Sequence, residues 1–140
     1  MTRYIPAFSW TESIERFIHE VVIEKPLLNV CCGNNPMGDT RMDLYPDALQ
    51  LKPDVVGDMN VLPFGNDTYS AVFANPPWDA TAKKKCADFC KEAMRVAPVL
   101  YLMSPWIWGT SQAALDKVWV RQLPGINNAI CLTRYVRKVA

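Results

Sequence analysis

The stretch Asp54–Trp78, DVVGDMNVLPFGNDTYSAVFANPPW, decides the fold of this chain. It holds two predicted strands. The first, Asp54–Asp58, ends in Gly57-Asp58, and the second, the apolar run Tyr69–Ala74, is followed by Asn75-Pro76-Pro77-Trp78. Short apolar runs that stop at turn residues are typical of buried strands. Ligands of open α/β sheets bind beyond the carboxyl ends of the strands. The polar residues therefore lie where a binding site is expected.

The residues outside this stretch predict a buried strand at Leu27–Cys32, a short strand at Arg41–Tyr45 and a further strand at Val99–Met103. A first helix follows a capping box of Ser9 and Glu12 and ends at Pro26, and a second helix begins at the cap Asp79. Apolar residues recur at helical spacing in both. They are Ile14, Phe17, Ile18, Val21 and Val22 in the first helix, and Ala82, Cys86, Phe89, Cys90, Ala93 and Met94 in the second.

Strands that alternate with helices predict a minimal Rossmann-like α/β sheet, mostly parallel. Val118–Val120 and Ile130–Leu132 predict an antiparallel hairpin at the carboxyl terminus, and Ser111–Leu115 a short helix before it. Only Gly33–Thr40 separates the first two strands. Parallel neighbours normally need a crossover of about a dozen residues or more. The first crossover helix is therefore expected to be missing, which leaves one face of the sheet thinly covered.

The composition predicts a single domain over residues 1–140, because 140 residues can bury one core and no linker interrupts them. The formal net charge is +1, so contact with nucleic acid would have to be local. Five cysteines and no signal peptide predict a reducing, cytoplasmic location. The apolar run Val96–Trp108 is too short and too broken by proline to span a membrane. No cysteine and histidine spacing fits a metal site.

Three predicted strands end alike, in Cys32-Gly33-Asn34-Asn35, in Asp43-Leu44-Tyr45 and in Gly57-Asp58-Met59. The carboxyl ends of parallel strands lie side by side, so these residues form one edge of the sheet. Gly33 allows the backbone to approach a ligand closely. The carboxylate of Asp43 suits the two hydroxyls of a ribose, and that of Asp58 suits the amino group of an adenine.

This ordered set resembles the class I S-adenosylmethionine-dependent methyltransferases over Leu27–Met103, and Asp54–Trp78 carries the resemblance best. The Asn-Pro-Pro-aromatic signature resembles enzymes that methylate planar amino groups, either exocyclic amines of nucleobases or the side-chain amide of glutamine. The resemblance implies that S-adenosylmethionine is the cofactor. The cofactor-binding residues that it implies are Cys32, Gly33, Asn34, Asp43, Leu44, Asp58 and Met59.

The same resemblance implies that Asn75, Pro76 and Trp78 are catalytic. The side-chain oxygen of Asn75 and the carbonyl of Pro76 would accept the two N–H bonds of the target amine, and Trp78 would stack on its face. Alone, this tetrapeptide is also a common turn. The predicted substrate-binding residues are Pro77, Lys83, Lys84, Trp106 and Trp108. For the lysines the alternative is a solvated helix face, and for the tryptophans it is core packing.

The first strand departs from the family pattern of an acid followed by glycines at alternate positions. Asn29 holds the acid position, Cys31 and Asn35 hold glycine positions, and only Gly33 matches. Three functions therefore stay open. The first is N-methylation of a nucleobase in DNA or RNA, with a partner subunit to select the target. The second is a degenerate binding or regulatory subunit in a homo- or hetero-oligomer. The third is N-methylation of a protein glutamine or a small molecule.

Overall fold

The computed structural model of this chain describes residues 11–76, 80–122 and 129–138, apart from the side chains of residue 48 and residues 80–86. Its two α-helices are α1 (Glu12–Val21) and α2 (Ala80–Val96). A 3₁₀ turn spans Pro46–Ala48. The strands are β1 (Leu27–Val30), β2 (Thr40–Asp43), β3 (Val55–Val56), β4 (Ala71–Ala74), β5 (Val99–Ser104), β6 (Ala113–Gln122) and β7 (Ala129–Arg137).

The seven strands form one sheet in the order β3-β2-β1-β4-β5-β7-β6. All neighbours from β3 to β5 are parallel, whereas β7 runs antiparallel to both β5 and β6. The predicted α/β class, the mostly parallel sheet and the antiparallel carboxyl-terminal pair are therefore confirmed. Because β7 is reversed between β5 and β6, β6 runs in the same direction as the parallel strands.

The core lies in two layers, one on each face of the sheet. We call the side that packs on α1 the α1 face and the side that packs on α2 the α2 face. Successive strand residues point to opposite faces, so the two layers alternate along each strand. The α1 face includes Ile14, Phe17, Ile18, Leu27, Met37, Phe73, Tyr101, Ile130 and Leu132. The α2 face includes Leu28, Val30, Met42, Val72, Phe89, Cys90, Leu100, Trp108 and Tyr135.

Helix α1 begins one residue after Thr11, not at a cap formed by Ser9. Thr11 has an extended backbone, and its hydroxyl accepts the N–H of Ile14 at 3.4 Å, which satisfies one of the unpaired donors of the first turn. Ser9 lies outside the described residues. The helix ends at Val21, well before Pro26. The capping-box prediction therefore needs correction in its position, because a hydroxyl closer to the apolar stripe serves as the cap.

The first crossover helix is missing, as predicted. Residues 31–39 join β1 to β2 without a helix, and residues 57–70 join β3 to β4 in the same way. Between β2 and β3 there is only the turn at Pro46–Ala48. A sheet with such connections needs another means of holding its loops in place.

The side chain of Arg41 on β2 holds two of these loops together. It is only 6% exposed. Its guanidinium donates to the carbonyls of Gly33 at 2.9 Å and Asn35 at 2.8 Å in the loop after β1. It also donates to the carbonyls of Lys52 at 2.7 Å and Leu51 at 3.3 Å in the loop after β2. One buried guanidinium thus satisfies carbonyls that helices would otherwise pair internally.

Arg95, near the end of α2, binds backbone carbonyls of the loop between β3 and β4. Its guanidinium donates to the carbonyls of Phe64 at 2.7 Å and Leu62 at 3.0 Å. It also pairs with Glu92 at 2.7 Å, and Glu92 in turn accepts the N–H of Leu62 at 3.0 Å. This loop is therefore attached to α2 by charged hydrogen bonds, which are stronger than neutral ones.

The predicted short helix at Ser111–Leu115 is wrong, because β6 already begins at Ala113. Its pairing with β7 runs from Ala113↔Arg137 to Gln122↔Ala129, so both strands are longer than the apolar pattern predicted. Pairing with β7 satisfies the backbone N–H and C=O groups of β6 that point toward β7, and this long-range pairing overrides the local helical spacing.

Candidate functional site

The carboxyl ends of β1, β2, β3 and β4 are joined by backbone hydrogen bonds just beyond the strands. The N–H of Cys32 donates to Met42 at 3.1 Å, and the N–H of Gly57 donates to Asp43 at 3.2 Å. On the other side, the N–H of Asn75 donates to the carbonyl of Val30 at 3.4 Å. The predicted site segments after these four strands therefore meet at one edge of the sheet, which we call the carboxyl edge.

Asp43 lies at the centre of this edge and is 3% exposed. One carboxylate oxygen accepts the N–H of Gly33 at 3.0 Å, and the other accepts the N–H of Tyr45 at 3.1 Å. Each oxygen of an ionised carboxylate can accept a second hydrogen bond. Asp43 therefore fixes the loop after β1 against the end of β2 and keeps lone pairs for a ligand.

Gly33 has a φ of +52°, a left-handed conformation that glycine adopts without strain. The next residue, Asn34, turns its side chain away from the strand ends toward the loop after β2. Its carboxamide oxygen accepts the N–H groups of Gln50 at 2.9 Å and Leu51 at 3.2 Å. The structure thus gives Asn34 a role in joining two loops, and its predicted contact with a cofactor stays a prediction.

Asn29, at the acid position, is completely buried on the α1 face. Its amide nitrogen donates to the carbonyl of Met37 at 2.9 Å, and its side-chain oxygen has no partner among the described residues. Gly38 packs so closely above it that a Cβ there would lie 3.1 Å from the Cβ of Asn29. The amide of Asn29 therefore holds the loop between β1 and β2 through Met37. An aspartate at this position would place a carboxylate oxygen against the carbonyl oxygen of Met37.

We expect Asn29→Asp, which restores the family's acid, to lower the free energy of unfolding by about 2–3 kcal/mol at neutral pH. The new buried charge has no partner, and the carbonyl of Met37 loses its donor. Burial would raise the pKa of the new carboxyl above its unfolded value. The folded state then binds more protons, so the loss should shrink as pH falls to about 4. Urea unfolding at both pH values measures this. Asn66→Asp, at an exposed turn, is the control, and equal losses in the two variants would contradict the interpretation.

Cys31 holds a glycine position with a φ of +55°, a region that side chains rarely adopt. Its sulfur lies 3.7 Å from that of Met59, which packs against the α2 face. Burial, together with the nearby charge of Asp43, raises the pKa of the Cys31 thiol far above its ordinary value. Burial also raises the pKa of Cys32 to about 11. Both thiols stay protonated at neutral pH and act as small apolar side chains.

The outer part of the carboxyl edge is open to solvent. Leu44 is 47% and Tyr45 49% exposed directly after the buried Asp43. Asp58 is exposed as well, and its carboxylate accepts the N–H of Asn60 at 2.9 Å in a tight turn. Exposed apolar side chains flanked by two carboxylates suit a ligand that has a flat apolar part and several hydroxyl or amino donors.

The acceptor half of the predicted site is described only in part. Asn75 is partly exposed and Pro76 is buried, directly after β4. Pro77 and Trp78 lie outside the described residues, as do the side chains of Lys83 and Lys84. The predicted roles of these six residues, and that of Asp79 as a helix cap, therefore remain predictions.

Trp106 and Trp108 follow β5 at the same edge. Their rings pack together with centroids 5.1 Å apart, and Trp108 is buried in the α2 face. The backbone carbonyl of Trp108 accepts a hydrogen bond from the hydroxyl of Tyr135 at 2.5 Å. The indole N–H of each tryptophan is buried without a partner in the described part of the chain. These contacts favour the packing alternative for Trp108, whereas Trp106 stays partly accessible.

Sequence reasoning missed two residues that shape the site, Arg41 and Arg95. A signal existed for the first. Arg41 begins a run that was predicted to be a short strand, and an arginine that is buried in a strand needs several acceptors. Nothing in the local pattern could name those acceptors, since they lie on two separate loops. For Arg95, a charged residue near the end of a helix gave no distinguishing signal.

In the described ranges no helix is both long and apolar enough to cross a membrane, and no three His, Cys, Asp or Glu side chains lie together as a metal site would require. The predicted absence of a membrane span and of a metal concerns the whole chain. Both statements therefore remain expectations for the residues outside those ranges.

Comparison with family models and with curated proteins finds no match. Solved structures do match. An S-adenosylmethionine-dependent methyltransferase of Methanosarcina mazei is 13% identical with a TM-score of 0.62, over 89% of this chain and 98% of that one. A candidate RNA methyltransferase of Pyrococcus horikoshii is 11% identical with a TM-score of 0.61, over 99% and 89%. A chain of the complex between the Haloferax volcanii Trm112 methyltransferase activator and its methyltransferase candidate is 12% identical with a TM-score of 0.64, over 91% and 89%.

These similarities establish the fold. The chain has the Rossmann-like architecture of S-adenosylmethionine-dependent methyltransferases, and the predicted fold class is confirmed. At such low identity the likeness carries no residue roles, so the chemistry has to be argued from the carboxyl edge itself.

Proposed function

We propose that this protein transfers a methyl group from S-adenosylmethionine to a planar amino nitrogen, with a nucleobase in RNA or DNA as the favoured acceptor. One observation carries the proposal. Gly33, Asp58 and Asn75 follow three neighbouring strands, and Asp43 ends the fourth. Hydrogen bonds join these four strand ends at one edge of a sheet with the methyltransferase fold. A ligand site is expected at that edge in open α/β sheets.

The residues at the edge fit the adenosine part of the cofactor. Asp43 has lone pairs left for ribose hydroxyls, Leu44 offers an exposed apolar surface, and Asp58 offers a solvent-accessible carboxylate for an amino group. Gly33 presents no side chain at the loop. Cys32 and Met59 would complete the set as apolar neighbours. We therefore assign the cofactor's adenosine to the ends of β1, β2 and β3.

The methionine part of the cofactor meets residues that differ from the family pattern. Asn29 is buried below the loop, and its amide is committed to Met37, so it cannot neutralise an ammonium group. Cys31 adds a thiol where a glycine is usual. Cofactor affinity in this protein would therefore depend more on the adenosine contacts than the family pattern implies.

S-adenosylmethionine, when bound, supplies a methyl group on a sulfonium that leaves readily. The protein's own task would be to hold the acceptor. Asn75, with Pro76 and Trp78, would accept the N–H bonds of the amine and support its face, so that the nitrogen lone pair points at the methyl group. No strong base is needed, because the amine proton can pass to water after the C–N bond forms.

We expect Asn75→Ala to lower methyl transfer on the order of a hundredfold, the usual cost of losing one positioned polar group in an active site. The assay incubates the protein with labelled S-adenosylmethionine and with RNA, DNA and lysate protein in parallel, and records which fraction takes up label. Asn66→Ala, at an exposed turn, is the matched control and should keep full activity.

The outcomes separate the alternatives. Label in the protein fraction or in small molecules would replace the nucleobase with a glutamine or a metabolite as acceptor. No label in any fraction, with no binding of S-adenosylhomocysteine at millimolar concentration, would overturn the enzyme proposal. A degenerate subunit would then be the better description.

A partner protein is a second proposal, and one observation favours it. A chain with the same fold was solved in complex with a methyltransferase activator. In the present chain β3 is a two-residue edge strand whose Val56 is 57% exposed, and Leu51 in the loop before this strand is exposed as well. We infer that this edge is where an activating subunit or a second copy would bind. The proposed location remains the cytoplasm, where such partners and nucleic acid are available.

A further inference from the structure

Strand β6 carries an alternating row of basic and aromatic side chains. Lys117, Trp119 and Arg121 are two residues apart, so they lie on the same face. Their partners on β7 are Arg134, Leu132 and Ile130, and the last two belong to the α1 face. Among the described residues β6 pairs with β7 alone, so this row lies at an edge of the sheet.

The two outer cations of this row have no carboxylate partner in the described part of the chain. Lys117 and Arg121 are both exposed. The nearby acids pair with Arg134 instead, since Asp116 lies 2.6 Å and Glu24 3.9 Å from its guanidinium. Arg134 is thereby neutralised. The row therefore presents two free positive charges on a chain whose net charge is only +1.

Each of the two cations lies over an aromatic ring, and only Lys117 contacts Trp119. The ammonium of Lys117 lies 4.9 Å from the centroid of the Trp119 ring. The guanidinium of Arg121 lies 4.2 Å above the ring of Phe17 on α1. Lysine is flexible and strongly hydrated, so it can leave the indole when a phosphate is offered. Trp119 would then have a ring face for stacking, with a cation on each side.

The row leads to the carboxyl edge. Trp119 is level with Leu132, and Leu132 is level with Met103 on β5. Ala74 on β4 pairs with Leu102, so Trp119 lies one residue closer to the carboxyl edge than Ala74 does. Since β6 runs parallel to β4, Arg121 lies toward the same edge as Asn75. Three strand spacings separate the two strands, roughly 14 Å.

We propose that Lys117, Trp119 and Arg121 form a binding strip for single-stranded nucleic acid. The cations would contact phosphates and Trp119 would stack on a base, which is the usual combination in single-strand binding. The distance from this strip to Asn75 corresponds to about four stacked nucleotides, at about 3.4 Å each. The inference rests on the proposed function, because it names the nucleic acid that would carry the methylated base.

The test is fluorescence anisotropy with short labelled single strands of RNA and of DNA, without cofactor, over a range of salt concentrations. Lys117→Gln/Arg121→Gln should weaken binding about tenfold, and the salt slope should fall by about 1.4, or about 0.7 for each lost phosphate contact. Trp119→Ala should weaken binding at least about fivefold with little change in slope. If Trp119→Ala folds poorly, the glutamine variant decides the outcome.

Lys91→Gln/Lys138→Gln is the matched control, because it removes two exposed charges far from the carboxyl edge. It should leave both affinity and slope near the wild-type values. A glutamine variant at Lys117 and Arg121 that keeps the wild-type affinity and slope would overturn the strip, as would a wild type that binds neither strand at low salt. Calorimetry with S-adenosylhomocysteine separates the two proposals, since the strip variant should bind it normally.

Discussion

Arg41→Ala should lower the free energy of unfolding by about 3–5 kcal/mol, which is a large part of the stability of a domain of this size. The guanidinium donates to four carbonyls on two loops, and alanine would leave those carbonyls and their loops without a donor. Urea unfolding monitored by circular dichroism measures the change. We expect the tryptophan fluorescence to follow the same transition.

Two variants sharpen this experiment. Arg16→Ala removes an exposed arginine whose ion pair with Glu12 lies on the surface of α1, and it should cost less than about 0.5 kcal/mol. Arg41→Lys keeps the charge but cannot reach carbonyls on both loops. The stability of this variant should therefore lie between those of Arg41→Ala and Arg16→Ala. If Arg41→Ala unfolds at the wild-type urea concentration, the guanidinium does not replace the missing helices.

Asp43→Asn should raise the dissociation constant for S-adenosylhomocysteine about tenfold to a hundredfold, because each charge-assisted hydrogen bond contributes about 1.5–3 kcal/mol. The substitution keeps the shape of the side chain and one acceptor oxygen. It also weakens one of the two bonds to the N–H groups of Gly33 and Tyr45, so some stability is lost as well. Isothermal titration calorimetry gives the affinity.

The matched control for this variant is Asp39→Asn. The carboxylate of Asp39 accepts the N–H of Leu27 at 2.7 Å, at the opposite end of β1. This variant should lose a comparable amount of stability and keep the wild-type affinity. Equal affinities for both variants would show that Asp43 serves the loop alone and does not contact the cofactor.

The loops of this protein illustrate how a small α/β sheet can dispense with helices. Arg41 and Arg95 satisfy backbone carbonyls of three connections that have no α-helix of their own. A guanidinium has five donors in a rigid plane, which suits several carbonyls from different directions. Arg41 donates to the carbonyl of Gly33 in the candidate site, so it determines how firmly the end of β1 is held.

Much of this fold could be predicted from local pattern. Apolar runs of strand length marked β1, β4 and β5, since strands buried on both faces have to be apolar throughout. The short spacing Gly33–Thr40 revealed the missing helix. Polar residues after each run marked the carboxyl edge. Each of these features depends only on residues that are close together in the chain, so it could be predicted from the sequence alone.

Other features depend on residues that are distant in sequence. The start of β6 at Ala113 depends on pairing with Arg137, which overrides a local helical pattern. The commitment of Asn34 to the loop after β2, and that of Asn29 to Met37, could not be seen without the packed loops. Asn29, which departs from the family pattern, and Asn34, which was predicted to contact the cofactor, therefore both have partners within the protein.

The sequence by itself determined the parallel strands, the two helices, the loss of the first crossover helix and the residue types at the carboxyl edge, because these follow from spacing and residue type. Only the tertiary structure decided which polar groups remain available for a ligand. Hydrogen bonds between loops are made after the chain has folded. They assign Asn29 and Arg41 to support, and they bind the side-chain oxygen of Asn34 to the loop after β2. They leave the exposed edge at Leu44 and Asp58, together with the strip on β6, open to solvent.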